Sequence, residues 1–223
     1  MKKYLTCFLL SIPAGLAIGL GGFLYILMTY LIHGDLSELG NIFGSLVFSI
    51  GLLTVCIFSL NLYTGKVGLI YESKKNKDFY ISLLIMLIGN ALGAFLLGYI
   101  CYFIFKDMEI YNYALNTANK RLIFDDGIDY LSASIKSFLC GVCVYLAVKC
   151  FNMDRMKPLG ITLLVFFVFI FVYSGWQHCI ANMFYFAMSN KIEPNTFINL
   201  ALAILFNSLG PVVGVYMFKL AKK

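Results

Sequence analysis

The sequence predicts an all-α membrane protein of six transmembrane helices, in which the second and the fifth helix are interrupted. Of the 223 residues, 61% are hydrophobic and only 13% are charged, which lies outside the range of soluble globular domains. Charged residues are rare in six stretches, each long enough to cross a hydrocarbon core of about 30 Å. These stretches are residues 4–34, 39–71, 79–105, 130–148, 158–190 and 194–218.

The first stretch is too long for a cleavable signal sequence and has no clear small-residue cleavage site, so we interpret it as a transmembrane helix. The loops between the six stretches are too short to form a separate soluble domain. We therefore expect one integral membrane domain over residues 1–223.

The fifth stretch contains polar residues at its centre. Its 33 residues would make a helix of roughly 50 Å, which is longer than a bilayer core is thick. The polar part runs from Ser174 to His178, and we expect the helix to break there. An ionisable side chain at that depth is costly and generally marks a transport pathway or a proton relay. His178 is therefore the first candidate for the functional centre.

The second stretch has the same length and a similar interruption. It is interrupted over residues 59–66, where Asn61, Thr64 and Gly65 favour local turns. Irregular backbone at this depth is tolerated only where it lines a cavity or is buried in protein. We therefore expect a loop inside the membrane.

The third and sixth stretches extend this correspondence. Asn90, in a Gly-Asn-x-x-Gly element, lies 26 residues after Thr64, and Asn207, in an Asn-x-x-Gly element, lies 29 residues after His178. Two groups of three helices with an interrupted middle member indicate an internal repeat, with halves at about 1–106 and 130–223. Because three is odd, the halves would have inverted topology, with a transport site between their interrupted helices.

The charged residues predict the orientation of the chain. An even number of spans places both termini on one side, together with eleven basic and three acidic side chains, whereas the other side has four basic and eight acidic ones. The positive-inside rule then places both termini in the cytoplasm of a multi-pass cell-membrane protein. Contact with anionic lipid headgroups explains the net charge of +6 better than nucleic acid does.

Small residues and the long connection bear on packing. Glycines recur in the first span (Gly15, Gly19 and Gly22) and in the third (Gly89 and Gly93), a pattern that allows close helix contact. We interpret these glycines as helix-packing residues without a direct role in function. The two glycine-rich spans also allow close contact with neighbouring subunits.

The acidic connection over residues 105–132 fits either an amphipathic surface stretch or the rim of a vestibule.

The sequence predicts no cofactor and no metal site. All seven cysteines lie within or at the edges of apolar stretches, where cysteine packs as a small apolar residue. Cys140 and Cys143 have the CxxC spacing, but a reactive pair needs access and an electropositive setting, so we interpret them as structural. His33 and His178 are 145 residues apart and fit neither a metal site nor a haem pair.

Two motifs resemble the formate/nitrite transporter family. They are Leu-Tyr-Thr-Gly at residues 62–65 and Gly-x-x-His-x-Ile-Ala-Asn-Met at residues 175–183, and the second is the more specific. The resemblance covers essentially the whole chain. It implies an aquaporin-like fold with broken second and fifth helices, assembled as a homopentamer with one pore per protomer. It also implies passage of small monovalent anions such as formate, nitrite or hydrosulfide, and no enzymatic activity.

Carried onto this chain, the resemblance makes His178 the central pore histidine and Thr64 its partner from the loop. Asn182, four residues after His178 on the same helical face, would fix the backbone there. The rest of the lining would consist of an inner constriction (Leu62, Tyr63), an outer constriction (Phe48, Leu52, Phe171) and a wall residue (Val144).

The resemblance also places a vestibule lysine near Lys120 and Arg121, which would raise the local anion concentration. Solvated loop charges explain these two residues equally well. Two positions depart from the family pattern. Gln177 stands where members often carry Glu, which concerns how the charge of the histidine is tuned. Lys66 follows the Thr-Gly of the loop, which concerns the preferred anion.

The chemistry expected at His178 does not depend on the resemblance. Burial favours the neutral imidazole, which can still donate one N–H to an anion or to Thr64. The broken helices would direct positive N-terminal ends to the midplane, and apolar gates at Phe48 and Phe171 would exclude hydrated ions. We therefore predict anion passage that depends on pH through His178.

A neutral-solute channel and an intramembrane enzyme are the two other function classes for a membrane protein of this kind. A neutral-solute channel of the water or glycerol type is the alternative, although its paired Asn-Pro-Ala turns do not occur in this sequence. An intramembrane enzyme built on His178 and Cys179, or on the CxxC pair, would need an oriented nucleophile–base pair, and the sequence has no HExxH or Walker motif. The residues leave open which anion is carried, and whether the protein is a channel or a proton-coupled carrier.

Overall fold

The protein is mostly helical in the ranges that the computed structural model describes, which are residues 2–71, 76–122, 130–153 and 156–220. These ranges contain nine α-helices and no strand. The helices are α1 (Lys2–Leu31), α2 (Ser37–Ile57), α3 (Tyr63–Lys66), α4 (Lys77–Phe105), α5 (Ile110–Asn119), α6 (Tyr130–Phe151), α7 (Lys157–Tyr173), α8 (Cys179–Met188) and α9 (Pro194–Leu220). Some charged residues used to predict the orientation, at 72–75, 125–129, 154–155 and 222–223, lie outside the described residues.

Five helices are long and apolar enough to cross a membrane: α1, α2 with the turn before it, α4, α6 and α9. The sixth span consists of α7 and α8, with 17 and 10 residues, which are separated by the segment from Ser174 to His178. The predicted six spans, with a broken fifth, are thereby confirmed.

The second span is also broken, at the predicted interruption over residues 59–66, but the break ends earlier than the sequence predicted. The chain turns after α2 at Ser59, whose φ of 51° lies in the left-handed region, and residues 60–62 are not helical. Thr64 and Gly65 already belong to α3, so their assignment to an irregular loop was wrong. The reason is tertiary, because a side chain from α4 binds the first amide of α3 and fixes where the helix resumes.

That side chain is the amide of Asn90, which is fully buried. Its Oδ1 accepts a hydrogen bond from the Tyr63 N–H at 2.8 Å. Its Nδ2 donates to the carbonyl oxygens of Ser11 in α1 and Asn61 in the break, both at 2.8 Å. One amide thus joins three segments of the first half.

Asn207 of α9 repeats this arrangement in the second half. Its Oδ1 accepts from the Cys179 N–H at 2.9 Å, and its Nδ2 donates to the carbonyls of Ser137 in α6 at 2.6 Å and Gln177 at 2.8 Å. Asn207 is also fully buried. In both halves the amide connects the first helix, the extended break and the first residue of the resumed helix, as an inverted repeat requires. The repeat boundaries at 106 and 130 stay a prediction.

Glycines allow the helices of each half to approach closely. A Cβ on Gly15 would collide with the backbone of Asn90, and one on Gly141 would collide with the backbone of Asn207. A Cβ on Gly93 of α4 would likewise meet the carbonyl of Ile12 in α1. Close helix approach therefore brings each asparagine within reach of the helix break.

The remaining glycines of the first and third spans are also used inside the protomer. Gly19 and Gly22 pack on the ring of Phe184 in α8, and Gly89 packs on Ser11. All are buried within the single chain. These glycines therefore pack between helices of one protomer, as interpreted, and contact of the two spans with neighbouring subunits stays a prediction. The packing of α1 against α4 and α8 already takes up the small-residue faces.

Candidate pore site

The two broken helices bring Thr64 and His178 together at the centre of the protein. Thr64 lies in the first turn of α3, and His178 is the residue immediately before α8. The Oγ1 of Thr64 and the Nε2 of His178 are 3.0 Å apart. Thr64 is fully buried and His178 is 2% exposed. One polar group from each half of the repeat thus meets the other out of contact with bulk water.

The backbone around His178 determines which ring nitrogen carries the proton. Nδ1 accepts a hydrogen bond from the Ala181 N–H at 3.2 Å, so the imidazole caps its own helix. A neutral ring whose Nδ1 accepts must carry its proton on Nε2. Nε2–H therefore donates to the Thr64 oxygen, and the hydroxyl hydrogen of Thr64 remains free to donate. Within the described residues, this hydroxyl has no hydrogen-bond partner besides His178.

An aromatic layer covers the histidine on one side. The Phe171 ring stacks on the His178 ring with centroids 5.8 Å apart, and Phe48 meets Phe171 edge to face, also at 5.8 Å. Leu52 lies one turn after Phe48 in α2, and all three side chains are 3% exposed or less. The residues predicted to form an outer constriction thus belong to the same buried core.

The residues predicted on the other side of Thr64 have different surroundings. Leu62 precedes α3, is 1% exposed and contributes to the wall of a cavity. The Tyr63 hydroxyl is 2.7 Å from the Ser208 hydroxyl, which connects α3 to α9 of the other half. Val144 of α6 is buried in the same apolar core. Leu62 therefore connects the break before α3 to the wall of this cavity.

Asn182 organises the polar side of α8. Its Nδ2 donates to Gln177 Oε1 at 2.6 Å and to Asn199 Oδ1 at 3.0 Å, and its backbone N–H donates to the His178 carbonyl at 2.8 Å. The side chain is fully buried. Asn182 therefore holds the residues on both sides of the helix start, which agrees with the positioning role expected for it.

Arg121 is bound to this network. Its Nε donates to Asn182 Oδ1 at 3.1 Å, and its Nη1 donates to the Thr117 carbonyl at 2.7 Å. The guanidinium also lies 4.0 Å from the ring centroid of Tyr185, a cation–π contact. In the described part of the chain, no carboxylate is within ion-pair distance of Arg121. Among the described residues, Arg121 is therefore a cation held by hydrogen bonds without an ion-pair partner, whereas its neighbour Lys120 is exposed.

A polar cavity of 300 Å³ opens beyond Arg121, and we call it the outer cavity. It is lined by the end of α1, the start of α2 and one face of α5, and its charged or titratable residues include His33, Glu38, Lys120 and Arg121. The described part of the long connection is thus a vestibule rim. His33, for which the sequence predicted neither a metal nor a haem role, is one of the lining residues.

The rim helix α5 is fastened to the end of α8. The Tyr111 hydroxyl donates to the Ser189 carbonyl at 3.0 Å. Partial burial raises the pKa of Tyr111, so this hydroxyl keeps its proton and the bond persists over the physiological pH range. The face of α5 that carries Thr117 therefore has a fixed position over the outer cavity.

A second cavity, of 180 Å³, lies on the opposite side of the Thr64–His178 pair, and we call it the inner cavity. The end of α2 lines it, at Val55 and Cys56, whereas the start of the same helix lines the outer cavity. Leu62 and Lys66 complete the wall nearest to Thr64. The aromatic layer, the Thr64–His178 pair and Leu62 are all buried, and the two cavities lie at the two ends of α2.

The remaining candidates for chemistry stay isolated. The seven cysteines are all free thiols, including Cys140 and Cys143 in α6. Within the described residues, no group of three or more His, Cys, Asp or Glu side chains could hold a metal ion. Cys179, beside His178, is fully buried and its N–H is bound by Asn207.

Comparison with known proteins identifies the family. The family described as Formate/nitrite transporter matches residues 1–221. A solved structure described as a pentameric formate channel with formate bound has a TM-score of 0.83 and 26% sequence identity, covering 99% of this chain and 97% of that chain. A solved FNT family ion channel has a TM-score of 0.77 and 21% identity, over 98% and 90% of the two chains. A search of curated proteins found no match.

Proposed function

Because the chain belongs to the formate/nitrite transporter family, we propose that it passes small monovalent anions, of the formate, nitrite or hydrosulfide type, through a pore in each protomer. It is a multi-pass membrane transporter and not an enzyme. The observation that carries the assignment to this site is the Thr64–His178 contact, buried between two cavities.

The order of groups along the path gives each a role. Arg121 attracts an anion into the outer cavity, since an unpaired, half-buried cation acts over a longer range than a solvated one. Phe48 and Phe171 admit it only after it loses most of its water. The free hydroxyl hydrogen of Thr64 then replaces part of the lost hydration, and the His178 Nε2–H holds the hydroxyl in place.

The same geometry supports a pH dependence through His178. An anion beside Thr64 brings negative charge next to the ring and favours the imidazolium form. The added proton would have to occupy Nδ1, which at present accepts from the Ala181 N–H. Protonation therefore breaks the hydrogen bond by which His178 caps α8 and forms an ion pair between the imidazolium and the anion. The protonated ring can then donate its proton to the anion of a weak acid.

The two cavities favour an anion over a neutral solute. The described residues at the outer cavity include a held arginine, and the inner cavity is lined by a lysine. Positively charged side chains at both cavities attract anions and repel cations, so an anion pathway makes more use of them than a neutral-solute pathway does. The neutral-solute alternative is thus the weaker one.

Assembly and orientation complete the proposal. The formate channel with the similar fold is described as pentameric. We expect this chain to form a cyclic homopentamer in the lipid bilayer, with both termini in the cytoplasm. Native mass measurement of the detergent-solubilised protein tests the first point, and a stable tetramer or monomer would contradict the pentamer without affecting the pore.

The function is tested by stopped-flow uptake into proteoliposomes. Uptake of formate, nitrite and hydrosulfide is compared between about pH 5 and 8, the range in which histidine ordinarily titrates. Glycerol serves as the neutral solute, and chloride serves as the anion of a strong acid. Faster uptake of at least one weak-acid anion, without glycerol uptake, supports the proposal. Glycerol uptake without anion uptake would replace it with the neutral-solute channel.

A further inference from the structure

We infer that the inner cavity contains a second anion-binding site, formed by Lys66 and oriented by Asn61, which collects small monovalent anions from the side of the termini. The inference rests on the proposed function, since it assigns a role to a residue at the inner mouth of the same pore. It concerns a residue that the family motif does not include.

The position of Lys66 is determined by its neighbour in the break. Lys66 is the last residue of α3, is half-buried and lines the inner cavity beside Leu62. Its Nζ donates a hydrogen bond to Asn61 Oδ1. Asn61 is itself 8% exposed, and its Nδ2 donates to the Cys7 carbonyl at 3.3 Å, so this amide has one orientation. The ammonium group is therefore held at the cavity wall and does not extend into solvent.

The ammonium group has unused bonding capacity. A lysine Nζ carries three N–H donors, and Asn61 accepts from one of them. In the ranges that the structure describes, no carboxylate lies within ion-pair distance of Lys66. A half-buried charge without a counter-ion is costly, and a small anion in the cavity removes that cost and uses the two remaining donors.

The repeat provides an independent argument. Lys66 is five residues after Asn61, and Asn182 is five residues after Gln177, and in each pair the later side chain donates to the amide oxygen of the earlier one. At the outer side, Asn182 also accepts from Arg121. Lys66 of α3 and Asn182 of α8 thus occupy equivalent positions in the two halves. Lys66 is itself the inner cation, whereas the outer cation, Arg121, comes from the connection between the halves and is bound to Asn182.

An anion at Lys66 would stand directly before the inner constriction. Leu62 is next to Lys66 in the cavity wall and precedes Thr64 on the path. The cavity is large enough for an anion with several waters. Lys66 therefore concentrates the anion and replaces part of its water before it passes Leu62. Flux from the side of the termini should depend on this step more than flux from the opposite side.

The test uses Lys66→Met, which keeps the length of the side chain and removes the charge. Formate flux is measured in right-side-out and everted membrane vesicles, with the side identified by a tag on the N-terminus. We expect the half-saturating formate concentration at the termini side to rise about tenfold, a typical effect of local charge on anion capture. The opposite side should change by less than about twofold, and added impermeant salt should reduce the difference.

Two variants control this experiment. Lys149→Met removes the same charge from the inner end of α6, where Lys149 is exposed and bonded to the Tyr145 hydroxyl, and it should leave both sides unchanged. Lys66→Arg keeps the charge and should retain near-normal half-saturation. Equal behaviour of Lys66→Met and Lys149→Met, or a loss at Lys66→Met that is the same from both sides, would overturn the inner site. An unsubstituted protein that passes no anion would instead overturn the proposed function.

Discussion

The break after α2 and the break after α7 have the same hydrogen-bonding frame but present different side chains. In each, one buried asparagine binds the first amide of the resumed helix and the carbonyl two residues earlier. The residue just before the resumed helix is Leu62 in one half and His178 in the other. The first break therefore presents a leucine where the second presents an imidazole.

This difference distinguishes the residues that form the two helix breaks from the residues that determine the chemistry of the site. The frame needs an amide and nearby glycines, and it uses them in the same way twice. The side chains directed to the path are not constrained by the frame, so each half can contribute a different group. Thr64 comes from one half and His178 from the other, and the central contact exists only when both breaks are formed.

The largest effects are expected from the frame itself. Asn90→Ala and Asn207→Ala each leave three buried backbone groups without their partner, so each should lower the free energy of unfolding by about 3–6 kcal/mol. Thermal unfolding in detergent measures this, and Asn119→Ala, at an exposed position in α5, is the control. The equivalence of the two breaks predicts similar losses. A severe loss at only one asparagine would show that the two frames are not energetically alike.

The next largest effect is expected at His178, which precedes α8 and corresponds to Leu62 before α3. His178→Phe should abolish the pH dependence of flux and change the selectivity among anions, because His178 is the ionisable side chain of the Thr64–His178 contact. His178→Asn is a matched variant that can still cap α8 but cannot titrate. Proteoliposome flux between about pH 5 and 8 decides. A pH profile like that of the unsubstituted protein in both variants would remove the histidine as the switch.

The contribution of the first half is tested at Thr64. Thr64→Val keeps the volume and removes the hydroxyl, so flux should fall about tenfold, the effect of one hydrogen bond to a charged group. Thr64→Ser keeps the hydroxyl and should retain most of the flux. Assembly is checked by size-exclusion chromatography. Undiminished flux through correctly assembled Thr64→Val would leave the hydroxyl without a role in passage.

The smallest effect is expected at the outer cation. Arg121→Gln removes the charge, and the half-saturating anion concentration on the outer side should rise about fivefold at low salt and less at high salt. Lys120→Gln removes an exposed neighbouring charge and should have a much weaker effect. Similar changes for both variants would mean that the network around Arg121 adds nothing to a solvated charge.

Much of this arrangement could be predicted from the sequence. The apolar stretches, the polar interruption near His178 and the recurring asparagines led to six spans, two breaks and an inverted repeat, and the motif around His178 identified the family. The reason is that a bilayer restricts each segment by length and polarity, and these are local properties of the chain.

Other features depended on contacts between distant segments. Thr64 is helical and not part of a loop, because Asn90 binds the first amide of α3. The glycines of the first span pack inside the protomer, because α4 and α8 pack on them.

Arg121, which fitted a solvated loop charge equally well in the sequence, is held by a buried amide 61 residues away. Local composition determined the number of spans and where the helices weaken. Only the tertiary structure decided which side chains bind the ends of the interrupted helices, and which charged side chains among the described residues have no ion-pair partner at the two cavities. The reason is that hydrogen bonds and ion pairs depend on distances across the helix bundle, which residue spacing in the sequence does not contain.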